Sequence, residues 1–146
     1  VVQLEIAQRK LAELDARAAR VRAHRRATVA ELAADRDALD LVAFNLMLAV
    51  QAASDLASHL IADESWTAPP TVAECFDRLA EQQVVTAATA AAMRRAVGFR
   101  NVVAHGYAGI DVAATHAAAT RGLDDLDRFA REVATWIARR SAEPTG

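Results

Sequence analysis

The stretch LDLVAFNLMLAVQAASDLASHLI, residues 39–61, decides the fold. Its Leu39, Val42, Leu46, Ala49, Val50, Ala53, Leu56, Ala57 and Leu60 recur at three- and four-residue steps, the period of an α-helix. Apolar residues cover most of the circumference, so this is expected to be the central and most buried helix. Gln51, Asp55 and His59 interrupt it at steps of four and therefore share one face. That polar stripe is an exposed face, or else it lines a site or a subunit interface, with Asp55 its strongest functional member. With Asn45 and Ser54, the stripe also breaks the run that a bilayer span would need.

On the N-terminal side, Leu4, Leu11, Leu14, Ala18 and Val21 form one apolar stripe of an amphipathic helix, opposite Glu5, Arg9, Lys10, Glu13 and Arg17. Its end is basic, with Arg20, Arg22, His24, Arg25 and Arg26. Cations at a helix C-terminus are favoured by the dipole, which is the simpler reading beside a phosphate-contacting edge. Asp35 or Asp37 is placed to cap the central helix. On the C-terminal side, Trp66-Thr67-Ala68-Pro69-Pro70 ends it, because neither proline continues a helix. Thr71 and Glu74 have capping-box spacing and open a short helix through Cys75, Phe76 and Leu79. Thr86 is a cap for the next helix, which carries Ala90, Met93, Ala96 and Val97 on its packing face and stops near His105. Gly106 suits the left-handed position beyond that end. Asp111 then caps a last helix running through Val112, Thr115, Ala119, Leu123, Leu126, Phe129, Val133 and Ile137. No segment alternates as a strand does. The expected fold is all-α: a compact antiparallel bundle of about five helices.

Composition agrees. The 146 residues predict one domain over 1–146, with 141–146 as a loose tail, and 53% hydrophobic residues supply a core. Only 5 Gly and 3 Pro interrupt an alanine-rich chain that favours helix. A net charge of -2 gives no global field drawing the chain to nucleic acid, so any nucleic-acid contact must come from local patches. One cysteine, Cys75, excludes an internal disulfide and a cysteine zinc site, and reads as a small buried hydrophobe. No leader or membrane span is read, so the expectation is cytoplasmic.

The polar exception is Gly98-Phe99-Arg100-Asn101-Val102-Val103-Ala104-His105-Gly106-Tyr107, where an Arg, an Asn, a His and the sole Tyr crowd together. Singly, each has a bland role: Arg100 in an ion pair, Asn101 in an interhelical hydrogen bond, His105 capping carbonyls. Together they suit RNA chemistry. His exchanges a proton near neutral pH, and a helix C-terminus favours its charged form. Arg presents a permanent planar fork to phosphate oxygens. Phosphoryl transfer asks mainly for positioning and charge stabilisation. On a straight helix His105 lies about 140° round from Arg100, whereas Tyr107 falls in line with it. One chain therefore does not gather all three, and a second copy is one way to complete the cleft. Arg94 and Arg95 read as exposed helix charge or as a positive patch beside the motif.

Arg-Asn-Val-Val-Ala-His-Gly-Tyr at residues 100–107 resembles the Arg-x4-6-His signature of the HEPN superfamily, and more closely the Arg-x4-His-x-Tyr motif of HepT-like toxins. The resemblance spans roughly Asp35 to Trp136. It implies a dimerising helical bundle with a metal-independent endoribonuclease site, without a cofactor, at the dimer interface. It makes Arg100 and His105 the catalytic pair and Asn101 the supporting polar residue; it gives Asp55 no defined role, and Asp55 stays a candidate site-lining residue from its place on the polar stripe. Tyr107 matches the tyrosine to which an MntA-like nucleotidyltransferase antitoxin adds AMP, placing phosphate charge beside Arg100. The alternative is a non-catalytic HEPN module that binds a nucleotide or a partner.

Overall fold

A computed structural model describes residues 4–105 and 109–143, and of residues 102–105 the backbone alone. All regular structure among these residues is helical: α1 (Leu4–His24), α2 (Val29–Ala34), α3 (Arg36–Asp63), α4 (Val72–Glu81), α5 (Ala87–His105), α6 (Val112–Ala117), a π-helical segment (Ala118–Gly122) and α7 (Leu123–Ala142). The last three form one continuous rod. The all-α bundle expected from the sequence is therefore present, with α2 as a short addition between the first two long helices.

The start signals act as read. Thr71 Oγ1 accepts from the Glu74 N–H at 3.3 Å, Thr86 Oγ1 from Thr89 at 3.2 Å and Asp111 Oδ1 from Ala114 at 3.0 Å. Of the two candidates for α3, Asp35 is the cap and accepts from Ala38 at 3.1 Å. Its carboxyl is held below the ordinary aspartate range, first by that backbone N–H and then by Arg26. Thr28 caps α2, where the sequence pattern shows only an interruption.

Both α3 and α4 close with one non-glycine residue in the left-handed region, Ser65 at φ 58° and Gln83 at φ 62°. The next N–H reaches back five residues in each case, Trp66 to Ile61 at 3.0 Å and Val84 to Leu79 at 2.8 Å. Trp66 then meets Trp136 edge to face, with ring centroids 6.0 Å apart.

α3 is the hub. It is long and apolar enough by composition to cross a membrane, yet its apolar face lies inside the bundle. Leu46, Leu56 and Leu60 are essentially inaccessible there, as are Leu14 of α1, Phe76 of α4, Met93 of α5 and Phe129 of α7. Phe76 and Phe129 meet edge to face at 5.5 Å. α1 runs antiparallel to α3, because Lys10 pairs with Asp55 and Arg17 bonds to Asn45. The π segment follows from spacing. Thr115, Ala119 and Leu123 are all buried. Eight residues of regular α-helix would turn Leu123 about 80° away from Thr115. The wider π turn keeps the three on the core side.

Candidate active site

Arg100 lies one turn before the end of α5, whose Ala90, Met93 and Val97 are buried against the bundle. That packing leaves Arg100 half-buried and facing the polar stripe of α3. Its Nη1 donates to Gln51 Oε1, and its Nη2 donates to Asn101 Oδ1 at 3.0 Å. Gln51 in turn donates through Nε2 to Asp55 Oδ1 at 2.8 Å, and Lys10 Nζ donates to Asp55 Oδ2 at 3.5 Å. A chain of contacts thus runs Lys10–Asp55–Gln51–Arg100–Asn101, across α1, α3 and α5.

The order has a chemical logic. An ionised carboxylate only accepts, so Asp55 must be met by the NH2 end of the Gln51 amide. The amide oxygen is then turned toward Arg100, which only donates. Asp55 therefore sets the orientation of the group that holds the arginine. Its own charge is offset by Lys10 rather than by Arg100. Arg100 makes no ion pair among the described residues; its two partners are neutral oxygens. Among the described residues its Nε is buried without a partner, so hydrogen-bonding capacity remains. A cation held in place by neutral acceptors keeps its charge for an incoming anion.

Other residues named from the sequence fall in different places. His59 shares the stripe but stands outside the chain of contacts, with a buried Nε2 that has no partner among the described residues. His105 is the last residue of α5, and its side chain lies outside the described residues, as do Gly106 and Tyr107. Arg94 pairs with Asp77 of α4. Arg22 pairs with Asp127 and Arg26 with Asp35, so part of the basic end of α1 serves the fold.

Gln51 and Lys10 are the residues that the sequence reading did not single out for a role. The four-residue step from Gln51 to Asp55 is a signal for the first. Lys10 gives none, because its contact depends on how α1 packs. Phe44 is a further feature of the stripe. It lies seven residues before Gln51, on the same face, and is 53% exposed, the most exposed of the large apolar side chains described.

Residues 8–133 match the family model described as ribonuclease HepT-like. The chain belongs to that family. No curated protein matches this HepT-like chain in sequence. Solved structures match its fold. One is the tri-AMPylated Shewanella oneidensis HEPN toxin in complex with MNT antitoxin, at 21% identity and a TM-score of 0.81, covering 89% of this chain and 97% of that one. Another is a toxin–antitoxin structure with AMP-PNP, at 20% identity and a TM-score of 0.82, covering 90% and 98%. A third is YutE from Bacillus subtilis, a cytosolic protein of unknown function, at 12% identity and a TM-score of 0.82, covering 99% and 96%.

Proposed function

We propose that this HepT-like chain is the endoribonuclease toxin of a toxin–antitoxin pair, acting as one cytoplasmic domain and without a metal. The observation that carries the reading is Arg100: a half-buried guanidinium, fixed by Gln51 and Asn101, with no carboxylate partner among the described residues. Arg100 binds the scissile phosphate and offsets charge in the transition state. His105 serves proton transfer. The ribose 2′-oxygen attacks phosphorus and yields its proton to a base; the bond to the 5′-oxygen breaks, and that oxygen leaves with a proton. The product is a 2′,3′-cyclic phosphate with a free 5′-hydroxyl.

The active unit is a homodimer with a shared cleft. Exposed Phe44 supports this, because an apolar ring on the stripe that holds Arg100 is suited to cover by a second copy. An MntA-like nucleotidyltransferase is the antitoxin, and it adds AMP to Tyr107. Support comes from the likeness to an AMPylated HEPN toxin bound to an MNT antitoxin.

The test is RNA cleavage and growth arrest by the wild type, Arg100→Ala and His105→Ala, with circular dichroism as the folding control. Each substitution is expected to lower cleavage about 10²–10³-fold, the scale for losing one transition-state donor or acid–base group. Cleavage equal to wild type in both would overturn the reading. Complex formation with a nucleotidyltransferase, but never an RNA product from the wild type, would support the non-catalytic module instead. Intact mass after co-expression tests the antitoxin step, with AMP-sized additions expected on Tyr107.

A further inference from the structure

A second feature lies beside the Gln51–Arg100 pair. A cavity of about 610 Å³ opens between α3, α5, the π segment and α7. Val50 and Phe99 give it apolar walls, and each directly precedes a member of that pair. Arg95 and Arg121 stand at its polar edge with Asp124 and Asp125. A shallower groove continues from it, lined by Arg25 near the end of α1 and again by Arg121 and Asp124. The π segment is the shared wall, contributing Gly122 to the cavity, Thr120 to the groove and Arg121 to both.

The charges are unevenly matched. Among the described residues, neither Arg95 nor Arg121 has a hydrogen bond or an ion pair. Arg25 gives Nη1 to the Ala119 carbonyl at 3.2 Å and meets no acid. Of the two aspartates at the cavity, Asp125 is paired to Arg128, and Arg22 and Arg26 of the groove are paired to Asp127 and Asp35, so among the described residues three arginines without counter-ions face one unpaired aspartate, Asp124. The volume falls within the range of small-ligand sites and takes a nucleobase. Cations beside an aromatic ring on which a base can stack, here Phe99, are the recurring arrangement for single-stranded nucleic acid, with phosphates outside and a base within. An acidic protein segment would satisfy the arginines but leave the cavity empty, so the nucleic acid is the better match.

We infer that this cavity and groove bind a single-stranded RNA segment, with one base against Phe99 and Val50 and flanking phosphates on Arg95, Arg121 and Arg25. The inference rests on the ribonuclease reading and extends it: the track leads a strand toward Arg100. Asp124 is placed to accept from a base amino or imino group.

The experiment separates binding from cleavage. Fluorescence anisotropy is measured with a mixed-sequence 2′-O-methyl oligoribonucleotide, which lacks the attacking hydroxyl, over a salt series. The wild type is expected to bind. Arg95→Ala with Arg121→Ala should weaken binding at least about tenfold and flatten the salt dependence by about 0.7 in log–log slope per arginine lost. Ala117→Trp, which fills the cavity from its wall, should weaken binding without changing the slope. Arg139→Ala, at a different depression beside Trp136, should leave both unchanged. Melting curves check that each variant folds, and the double arginine variant carries the test if Ala117→Trp does not.

Wild-type binding with affinity and slope unaltered in the double variant would overturn the track and leave the ribonuclease reading standing. No RNA binding by the wild type would overturn both. Unaltered RNA binding with a changed oligomeric state would make this face a contact between copies. Unaltered RNA binding with loss of a co-expressed nucleotidyltransferase would make it a protein-docking face. Either result would overturn the RNA track.

Discussion

The two faces of α3 differ in what they are for. One carries Leu46, Leu56 and Leu60, inaccessible to solvent, and joins the helices into a core. The other carries Phe44, Gln51 and Asp55, partly open, and touches the bundle through polar contacts to Lys10 and Arg100. The first face is insensitive to chemical detail, because burial depends on area and shape. The second is sensitive to which atom donates and which accepts. A helix can therefore act as the spine of a fold and as the mount for a charged group, provided the two roles occupy different sides.

Substitutions on the two faces should separate stability from activity. The largest stability effect is expected from Leu56→Ala, on the core face. It should cost about 2–5 kcal/mol, the range for deleting a fully buried leucine side chain, measured by urea unfolding. A loss below about 1 kcal/mol would mean that the face is less tightly packed than its burial implies.

A smaller effect belongs to the start of α3, which carries both faces. Asp35 has a lowered pKa in the folded chain, so its contribution to stability is present above the ordinary value of 3.8 and is lost as pH falls through the lowered one. Asp35→Asn keeps a capping oxygen but removes the charge. The wild type should be modestly more stable than this variant at neutral pH, and the difference should vanish in acid. A difference that persisted unchanged at pH 2 would show that the carboxylate is not its source.

Much of the fold was legible in the sequence, because helix periods and capping residues are local signals. Thr71, Thr86 and Asp111 act where they were expected to act. The π segment was not read, although the unbroken four-residue steps through Thr115, Ala119 and Leu123 encode it. Of the site, Arg100 and Asn101 stand together as neighbours in sequence, and Asp55 was marked by its stripe. That Asp55 acts through Gln51, rather than reaching Arg100 itself, depends on side-chain length across an interhelical gap. Lys10 enters only through the antiparallel register of α1 on α3. Such contacts between distant segments leave no trace in local spacing. The unmatched arginines at Arg25, Arg95 and Arg121 were likewise invisible as a group, since they come from three separate elements.

The central claim is that the polar stripe of α3 exists to hold Arg100. Gln51→Leu tests it most directly, because leucine has similar bulk but cannot bridge Asp55 and Arg100. RNA cleavage should fall at least about tenfold, on the scale by which a misplaced catalytic group loses rate. The melting temperature should change little, since Gln51 is only half-buried. Cleavage at the wild-type rate in a folded Gln51→Leu protein would contradict the account.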